Sequence, residues 1–130
     1  MAKTVKYITK DFGTYDVNSI DSYEKIGGFA ALRRATNMDG YDIAKLISLC
    51  KVKGRGGAAY DMGKKWSQAK DISAPKKVVV CNADEGEPCT FKDRTIIQND
   101  PFRLIEGIIM LVIVLMPTMD ISIFVKSTST

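Results

Sequence analysis

The sequence predicts an α/β fold, and three observations lead to that prediction. Apolar residues recur at helical spacing in several segments, a β-branched run at residues 76–82 (KKVVVCN) lies between them, and a glycine-rich loop precedes that run. Helix, loop, helix, strand, loop and helix in this order are typical of α/β proteins. The 130 residues, 45% hydrophobic and 26% charged, suit one globular domain with a core.

The first 35 residues predict short helices that together form a leader, 1–35. The pair Gly27-Gly28 predicts a break between them. The apolar residues at intervals of three, expected to form one packing face, are Ile20, Tyr23, Ile26, Phe29 and Leu32.

Three further helices are predicted. The first begins at Asp39 and runs to about Lys51, the second covers residues 62–70, and the third begins at Asp100-Pro101, an N-cap followed by a first-turn proline. The apolar stripe of the first is Ile43, Leu46, Ile47 and Cys50, and that of the third is Leu104, Ile105, Ile108 and Ile109. The run at 76–82 reads as a strand buried on both faces of a parallel sheet.

Composition and charge exclude several classes of protein. The net charge is +4, and the basic residues are scattered among acidic ones, which predicts no nucleic-acid partner. Cys50, Cys81 and Cys89 form no C-x-x-C pair, so we expect neither a disulfide framework nor a metal site. The longest apolar run, 107–116, is about half of a bilayer span. We therefore expect a soluble, cytoplasmic chain without membrane insertion.

The loop KGRGGAAYDMGKKW, residues 53–66, contains four glycines and several basic residues. It is not a Walker A loop, because Lys64 is followed by Lys65 where Ser or Thr would bind Mg²⁺. The spacing G-x-G-x-x-A matches a dinucleotide fingerprint, but it follows a helix instead of a strand. Consecutive glycines still let backbone amides approach a flat or anionic ligand, and the alternative is a surface turn with solvated lysines.

A second polar segment, residues 78–94 (VVVCNADEGEPCTFKDR), follows the predicted strand directly. Asn82, Asp84, Glu85 and Glu87 lie at the strand's carboxyl end, where α/β folds bind ligands. Carboxylates suit ribose or ribityl hydroxyls, and an amide suits a pyrimidine-like edge. Together the two loops predict a nucleotide or flavin site, and a solvated acidic turn is the alternative.

These two motifs, with the continuation TIIQNDPFRLIEG, resemble the NADH-binding, FMN-containing flavoprotein subunit of respiratory complex I. Related subunits occur in NAD-linked hydrogenases and formate dehydrogenases, and the resemblance covers roughly residues 12–107. It implies that residues 36–109 are the first, incomplete part of a Rossmann-like parallel-sheet domain. It also implies an NADH-oxidising enzyme that accepts hydride onto FMN and passes electrons to iron–sulfur clusters of partner subunits.

The resemblance also implies a role for each site residue. Lys65 and Glu85 would be the catalytic pair: Lys65 would reach both FMN and NAD(H), and Glu85 would lie beside the isoalloxazine and nicotinamide rings. Tyr60 stands where the family has a phenylalanine that stacks on NADH. The loop under the flavin would be Gly54, Arg55, Gly56, Gly57 and Ala58, while Asn82 and Asp84 would hold FMN and Glu87 the NADH ribose.

The chain departs from the family pattern in several places. Ala59 replaces a glycine, Asp61-Met62 replaces Pro-Thr, Gln68 replaces an aromatic residue and Cys89 replaces a glycine. No metal ligands are expected, since the family's [4Fe–4S] ligands have no counterpart here. The alternative function is a truncated, non-catalytic chain with at most weak nucleotide or flavin binding.

We expect residues 110–130 to carry no family feature. A one-base shift of the reading frame would turn Met116-Pro117 into alanine and Met119-Asp120 into glycine, in a pattern that the family shows. We therefore predict that this tail is translated out of frame. A genuine hydrophobic C-terminal strand pair is the alternative.

Overall fold

A computed structural model describes residues 6–115 and the backbone of residues 123–126. Its helices and strands form a mixed, helix-rich chain. In order they are α1 Ile20–Lys25, α2 Ala30–Ala35, α3 Gly40–Leu49, α4 Met62–Asp71, β1 Val79–Asn82, α5 Lys92–Asn99, α6 Pro101–Leu115 and β2 Ile123–Lys126.

The leader helices are short, as predicted, and they separate at the glycine pair, where Gly27 has φ of +91°. The predicted packing face is only partly correct. Tyr23 is buried, whereas Ile20 and Ile26 are 54% and 40% exposed. The reason is that Tyr23 packs edge-on against Phe29, with ring centroids 5.0 Å apart, in an aromatic cluster that covers only this side of the short helices.

Polar contacts attach the leader to the first turns of α6. The Tyr15 hydroxyl donates to Asp100 Oδ1 at 2.9 Å, and the Tyr23 hydroxyl donates to Glu106 Oε2 at 2.7 Å. Glu106 also accepts from two backbone amides at the start of α2, each at 3.2 Å. Arg103 forms ion pairs with Asp100 and with Asp11 of the leader.

Helices α3 and α4 pack closely against each other. Asp39 caps α3 as predicted, since its Oδ1 accepts from the Tyr41 amide at 2.7 Å. On α3, Ile43 is 4% exposed but Leu46 is 50% exposed, so the predicted apolar stripe is wrong at Leu46 and at Cys50, which is also exposed. The side of α3 that contacts α4 and α6 instead runs through Ile43, Ala44 and Ile47.

Helix α6 is central to the core. It begins at Pro101 as predicted and continues to Leu115. Its apolar residues pack on two sides, because one core cluster contains Val114 with residues of α2 and α3, and the other contains Ile108, Val112 and Val79 of β1. No helix in the described ranges is long and apolar enough to cross a membrane.

Strand β1 starts three residues later than predicted and pairs in parallel with β2. Val79 lies opposite Ile123, and Asn82 lies opposite Lys126. The predicted burial on both faces is wrong, since Val79 is 6% exposed but Val80 is 60% exposed. Helix α6 covers one face of the strand, and nothing in the described residues covers the other to the same extent.

Candidate functional site

The glycine loop is held at its base and exposed at its tip. Lys53 and Asp61 form an antiparallel bridge, and the Gly54 amide donates to the Tyr60 carbonyl at 2.8 Å. At the tip, Gly57 has φ of +97° and Ala59 has φ of +47°. A positive φ costs a side chain-bearing residue free energy, so Gly57 is required by the turn itself.

A cleft of about 540 Å³ lies between this loop and the core. Its volume is in the range of ligand sites, which are about 300–1,000 Å³. Its walls come from the loop, α4, β1 with the residue before it, and α6. The lining residues are Gly54, Gly56, Ala58, Ala59, Tyr60, Met62, Lys65, Trp66, Ala69, Val78, Val79, Val80, Leu111 and Leu115.

Five of the predicted site residues line this cleft: Gly54, Gly56, Ala58, Tyr60 and Lys65. Arg55 and Gly57 belong to the same exposed loop but do not line it.

The apolar wall of the cleft was not predicted from the sequence. On α4, Met62, Trp66 and Ala69 follow each other at intervals of four and three residues, which puts them on one helix face. That spacing could have identified them as neighbours of Lys65. The contribution of Leu111 and Leu115 depends on how α6 packs, and no local pattern shows it.

Asp61 fixes the junction between the loop and α4. Its Oδ1 accepts from the Ser48 hydroxyl at 2.6 Å and from the Lys64 amide at 2.7 Å. The Ser48 hydrogen bond, followed by the Lys64 amide, lowers the pKa of Asp61 from its usual value. An ionised carboxylate at the N-terminus of a helix is favourable. This cap fixes the start of α4, the helix that carries Lys65.

The four predicted residues of the acidic loop lie outside the cleft lining. Asn82 Oδ1 accepts from the Asp84 amide at 3.0 Å. The Glu85 carboxylate accepts from the Asp93 amide at 2.8 Å and from the Arg94 amide at 3.2 Å. Glu85 therefore caps helix α5. This cap was not predicted from the sequence.

The end of the acidic loop forms a tight turn. The Thr90 amide and hydroxyl both donate to the Glu87 carbonyl, at 3.2 and 2.7 Å. Cys89 in this turn is exposed and has φ of +64°, a conformation that favours glycine over residues with a side chain. Beside it, the Asp93 carboxylate lies 2.6 Å from Lys92 Nζ and raises the pKa of Lys92.

Cys50, Cys81 and Cys89 are free thiols. Within the residues that the structure describes, no group of three His, Cys, Asp or Glu side chains is placed to hold a metal ion.

Residues 47–130 match the sequence model of the Nuo51 FMN-binding domain, which includes both the glycine loop and the acidic loop. The chain belongs to this family. The match confirms the family resemblance that the two motifs predicted.

Several curated proteins align with much of the chain. An NADH-quinone oxidoreductase subunit of Aquifex aeolicus is 50% identical over 94 residues, which are 72% of this chain and 22% of that protein. The corresponding NADH-quinone oxidoreductase subunit of Rhizobium meliloti is 45% identical over the same length. The HndC subunit of the NADP-reducing hydrogenase of Solidesulfovibrio fructosivorans is 35% identical over 105 residues, 81% of this chain and 21% of that protein. The chain thus spans about a fifth of these relatives.

The cleft combines an open glycine backbone, aromatic surface and a positive charge. A Cβ added to Gly56 would have no atom within 4 Å, so its backbone borders open space. Tyr60 and Trp66 add aromatic surface, and the exposed Lys65 adds positive charge at the edge. Glycine backbone, aromatic rings and a cation are groups that bind a flavin nucleotide.

Proposed function

We propose that this chain is part of an NADH-oxidising flavoprotein subunit that binds FMN in the cleft beside the glycine loop. The observation that carries the proposal is the position of Gly56, Tyr60 and Lys65 on one cleft in a chain of the Nuo51 FMN-binding family. The relatives named NADH-quinone oxidoreductase and NADP-reducing hydrogenase support a nicotinamide nucleotide as a redox partner, and the first name supports NADH as the electron donor.

Each side chain of the cleft has a proposed task. Bound FMN would supply the chemistry that accepts a hydride. Lys65 would hold a positive charge near the ring, where it favours negative charge that develops during the reaction. Tyr60 would stack on the nicotinamide nucleotide, and the loop from Gly54 to Ala58, with Arg55 and Gly57, would approach the flavin through its backbone. The apolar wall would exclude water.

The acidic loop would complete the site from the end of β1. We propose that Asn82 and Asp84 hold FMN and that Glu87 binds NADH ribose hydroxyls. Glu85 would lie beside the reacting rings, and its two hydrogen bonds to α5 would set the direction of its carboxylate. The parallel pair β1–β2 is compatible with the start of a Rossmann-like sheet.

The rest of the electron path would lie outside this chain. Iron–sulfur subunits of a complex I-like, hydrogenase or formate dehydrogenase assembly would be the partners, in the cytoplasm. Relatives that are subunits of quinone-reducing and hydrogenase enzymes support such an assembly.

Titration of FMN with the 130-residue chain, monitored by the quenching of flavin fluorescence, tests the proposal. We expect Gly56→Val to weaken FMN binding at least tenfold (~1.4 kcal/mol), because the branched side chain fills the cleft. Gly107→Val is the matched control: this glycine is also exposed, has no atom within 4 Å of an added Cβ, and does not line the cleft. Equal FMN binding by both variants would contradict the proposal.

The alternative function, a non-catalytic chain with weak flavin binding, has one structural argument in its favour. The acidic loop and the cleft do not share a cavity, so the described residues form only one side of a site. Reduction of an artificial electron acceptor by NADH, measured with the FMN-loaded chain, separates the two functions. Turnover above that of free FMN supports the enzyme, and binding without turnover supports the alternative.

The division of the chain into a leader (1–35), a partial FMN/NADH-binding domain (36–109) and an out-of-frame tail (110–130) remains our proposal. Residues 110–115 continue α6, and Val112 and Val114 are buried there. Residues 123–126 pair with β1. The pairs Met116-Pro117 and Met119-Asp120 lie outside the described residues. The family match also includes the tail. Resequencing of the gene separates a frameshift from a genuine C-terminal strand, because only a frameshift leaves the family pattern readable in the neighbouring frame.

A further inference from the structure

Tyr60 is held at both its backbone and its side chain. Its carbonyl accepts from the Gly54 amide at 2.8 Å, which closes the base of the glycine loop. Its hydroxyl donates to Gln68 Oε1 on α4 at 2.8 Å. Tyr60 as a whole remains 43% exposed and lines the cleft. Tyr60 of the loop is thus hydrogen-bonded to α4, while its ring stays accessible to a ligand.

A third contact acts on the ring itself. Lys64 Nζ lies 5.8 Å from the centroid of the Tyr60 ring, within the range of a cation–π interaction. Tyr60 lines the cleft, whereas Lys64 does not.

The hydrogen bond depends on the chemistry of both side chains. The Tyr60 hydroxyl supplies the donor and the Gln68 side-chain carbonyl supplies the acceptor. The two residues are eight positions apart, and their hydroxyl and amide meet only because the loop folds back along α4.

We propose that Gln68 is a positioning residue that fixes the Tyr60 ring as a preorganised stacking surface for the nicotinamide nucleotide. The inference rests on the proposed function and deepens it. A ring that is already ordered loses less conformational freedom when a ligand stacks on it, so part of the ordering cost is met in the free chain before binding. Gln68 makes no contact with the ligand in this arrangement and acts through Tyr60.

A double-mutant cycle on the 130-residue chain tests the pair, with NADH as the probe in the presence of FMN. Gln68→Met keeps the side-chain length and the helix propensity but removes the acceptor. We expect Gln68→Met and Tyr60→Phe each to weaken NADH binding about threefold, the effect of one exposed hydrogen bond, and the double variant to lose no more than either alone. Gln98→Met, on the exposed side of α5, is the matched control and should leave binding unchanged.

A spectroscopic measurement keeps the inference independent of the proposed function. In the ligand-free chain, we expect nuclear Overhauser effects between the Tyr60 ring protons and the Gln68 side-chain amide. Gln68→Glu, which retains an acceptor, should preserve the Tyr60 ring shifts, and Gln68→Met should change them.

Three outcomes would overturn the inference: absent Overhauser effects, NADH affinity unchanged by Gln68→Met, or additive losses in the double variant. Failure of the wild-type chain to bind FMN or NADH would refute the proposed function instead, because the Overhauser effects would still report the pair.

Discussion

Replacement of Gly63 by alanine should destabilise the protein although it improves the helix propensity of α4. Gly63 is buried where α4 crosses α3. An added Cβ would lie 2.5 Å from Ser48 Oγ, 2.7 Å from the Ser48 amide nitrogen and closer still to the Ala44 carbonyl oxygen. Ordinary van der Waals contact begins at 3.4 Å, and backbone atoms cannot move away by changing a rotamer. The two helices must therefore separate.

The cost can be assembled from the contacts. Overpacking against a rigid neighbour costs about 1–3 kcal/mol. Separation of the helices also stretches the 2.6 Å hydrogen bond from Ser48 to Asp61, which adds to the loss. Alanine regains about 1 kcal/mol of helix propensity. The free energy of unfolding should therefore fall by about 1–2 kcal/mol.

The same substitution at Gly107 is the matched control. Gly107 also lies inside a helix, α6, but it is exposed and an added Cβ would meet nothing within 4 Å. Gly107→Ala should therefore raise the free energy of unfolding by about 0.5–1 kcal/mol. Urea unfolding, monitored by far-UV circular dichroism, measures the free energy of unfolding of both variants. If Gly63→Ala is as stable as Gly107→Ala, the close contact between α3 and α4 is not present in solution.

Three further predictions concern the contacts of the acidic loop and the leader. Glu85→Gln should cost about 1 kcal/mol and speed hydrogen exchange at the N-terminus of α5, because a neutral amide is a weaker cap than a carboxylate. Glu106→Gln should cost about 1–3 kcal/mol, because one amide oxygen replaces a carboxylate that accepts from Tyr23 and two backbone amides. Burial, followed by the hydrogen bond to Asp100, raises the pKa of Tyr15 from 10.0 to about 12. The contribution of Tyr15 to the free energy of unfolding is therefore complete below pH 10 and is lost as the pH rises towards 12.

Each of these three predictions has a control or an outcome that would contradict it. Glu87→Gln should leave exchange in α5 unchanged, because the Glu87 backbone carbonyl, and not its side chain, makes the contacts of the turn. Unchanged urea unfolding of Glu106→Gln would show that the leader is not attached through this carboxylate. Tyr15→Phe should lessen the loss of stability between pH 10 and 12, and an identical alkaline profile would contradict the Tyr15–Asp100 contact.

Local sequence signals determined the elements whose cause is local. The Asp39 cap, the boundaries of α4 and the start of α6 at Pro101 were all predicted, because capping residues and apolar periodicity act within one or two turns of a helix. The family assignment was also available from the sequence, since two long motifs at a fixed separation specify it. The glycine loop could be recognised as a ligand-binding candidate for the same reason.

The tertiary structure alone decided the features that depend on distant partners. Helix α5 contains only two apolar residues, Ile96 and Ile97, and its first turn is capped by Glu85, eight residues from Asp93. Leu46 is exposed because α4 and α6 cover the opposite side of α3, and Leu111 joins the cleft because α6 packs against β1. Sequence periodicity shows that a helix has an apolar side, but which residues are buried depends on the surface packed against it. That surface comes from residues far away along the chain, so only the folded structure places Tyr60 and Lys65 together with an apolar wall.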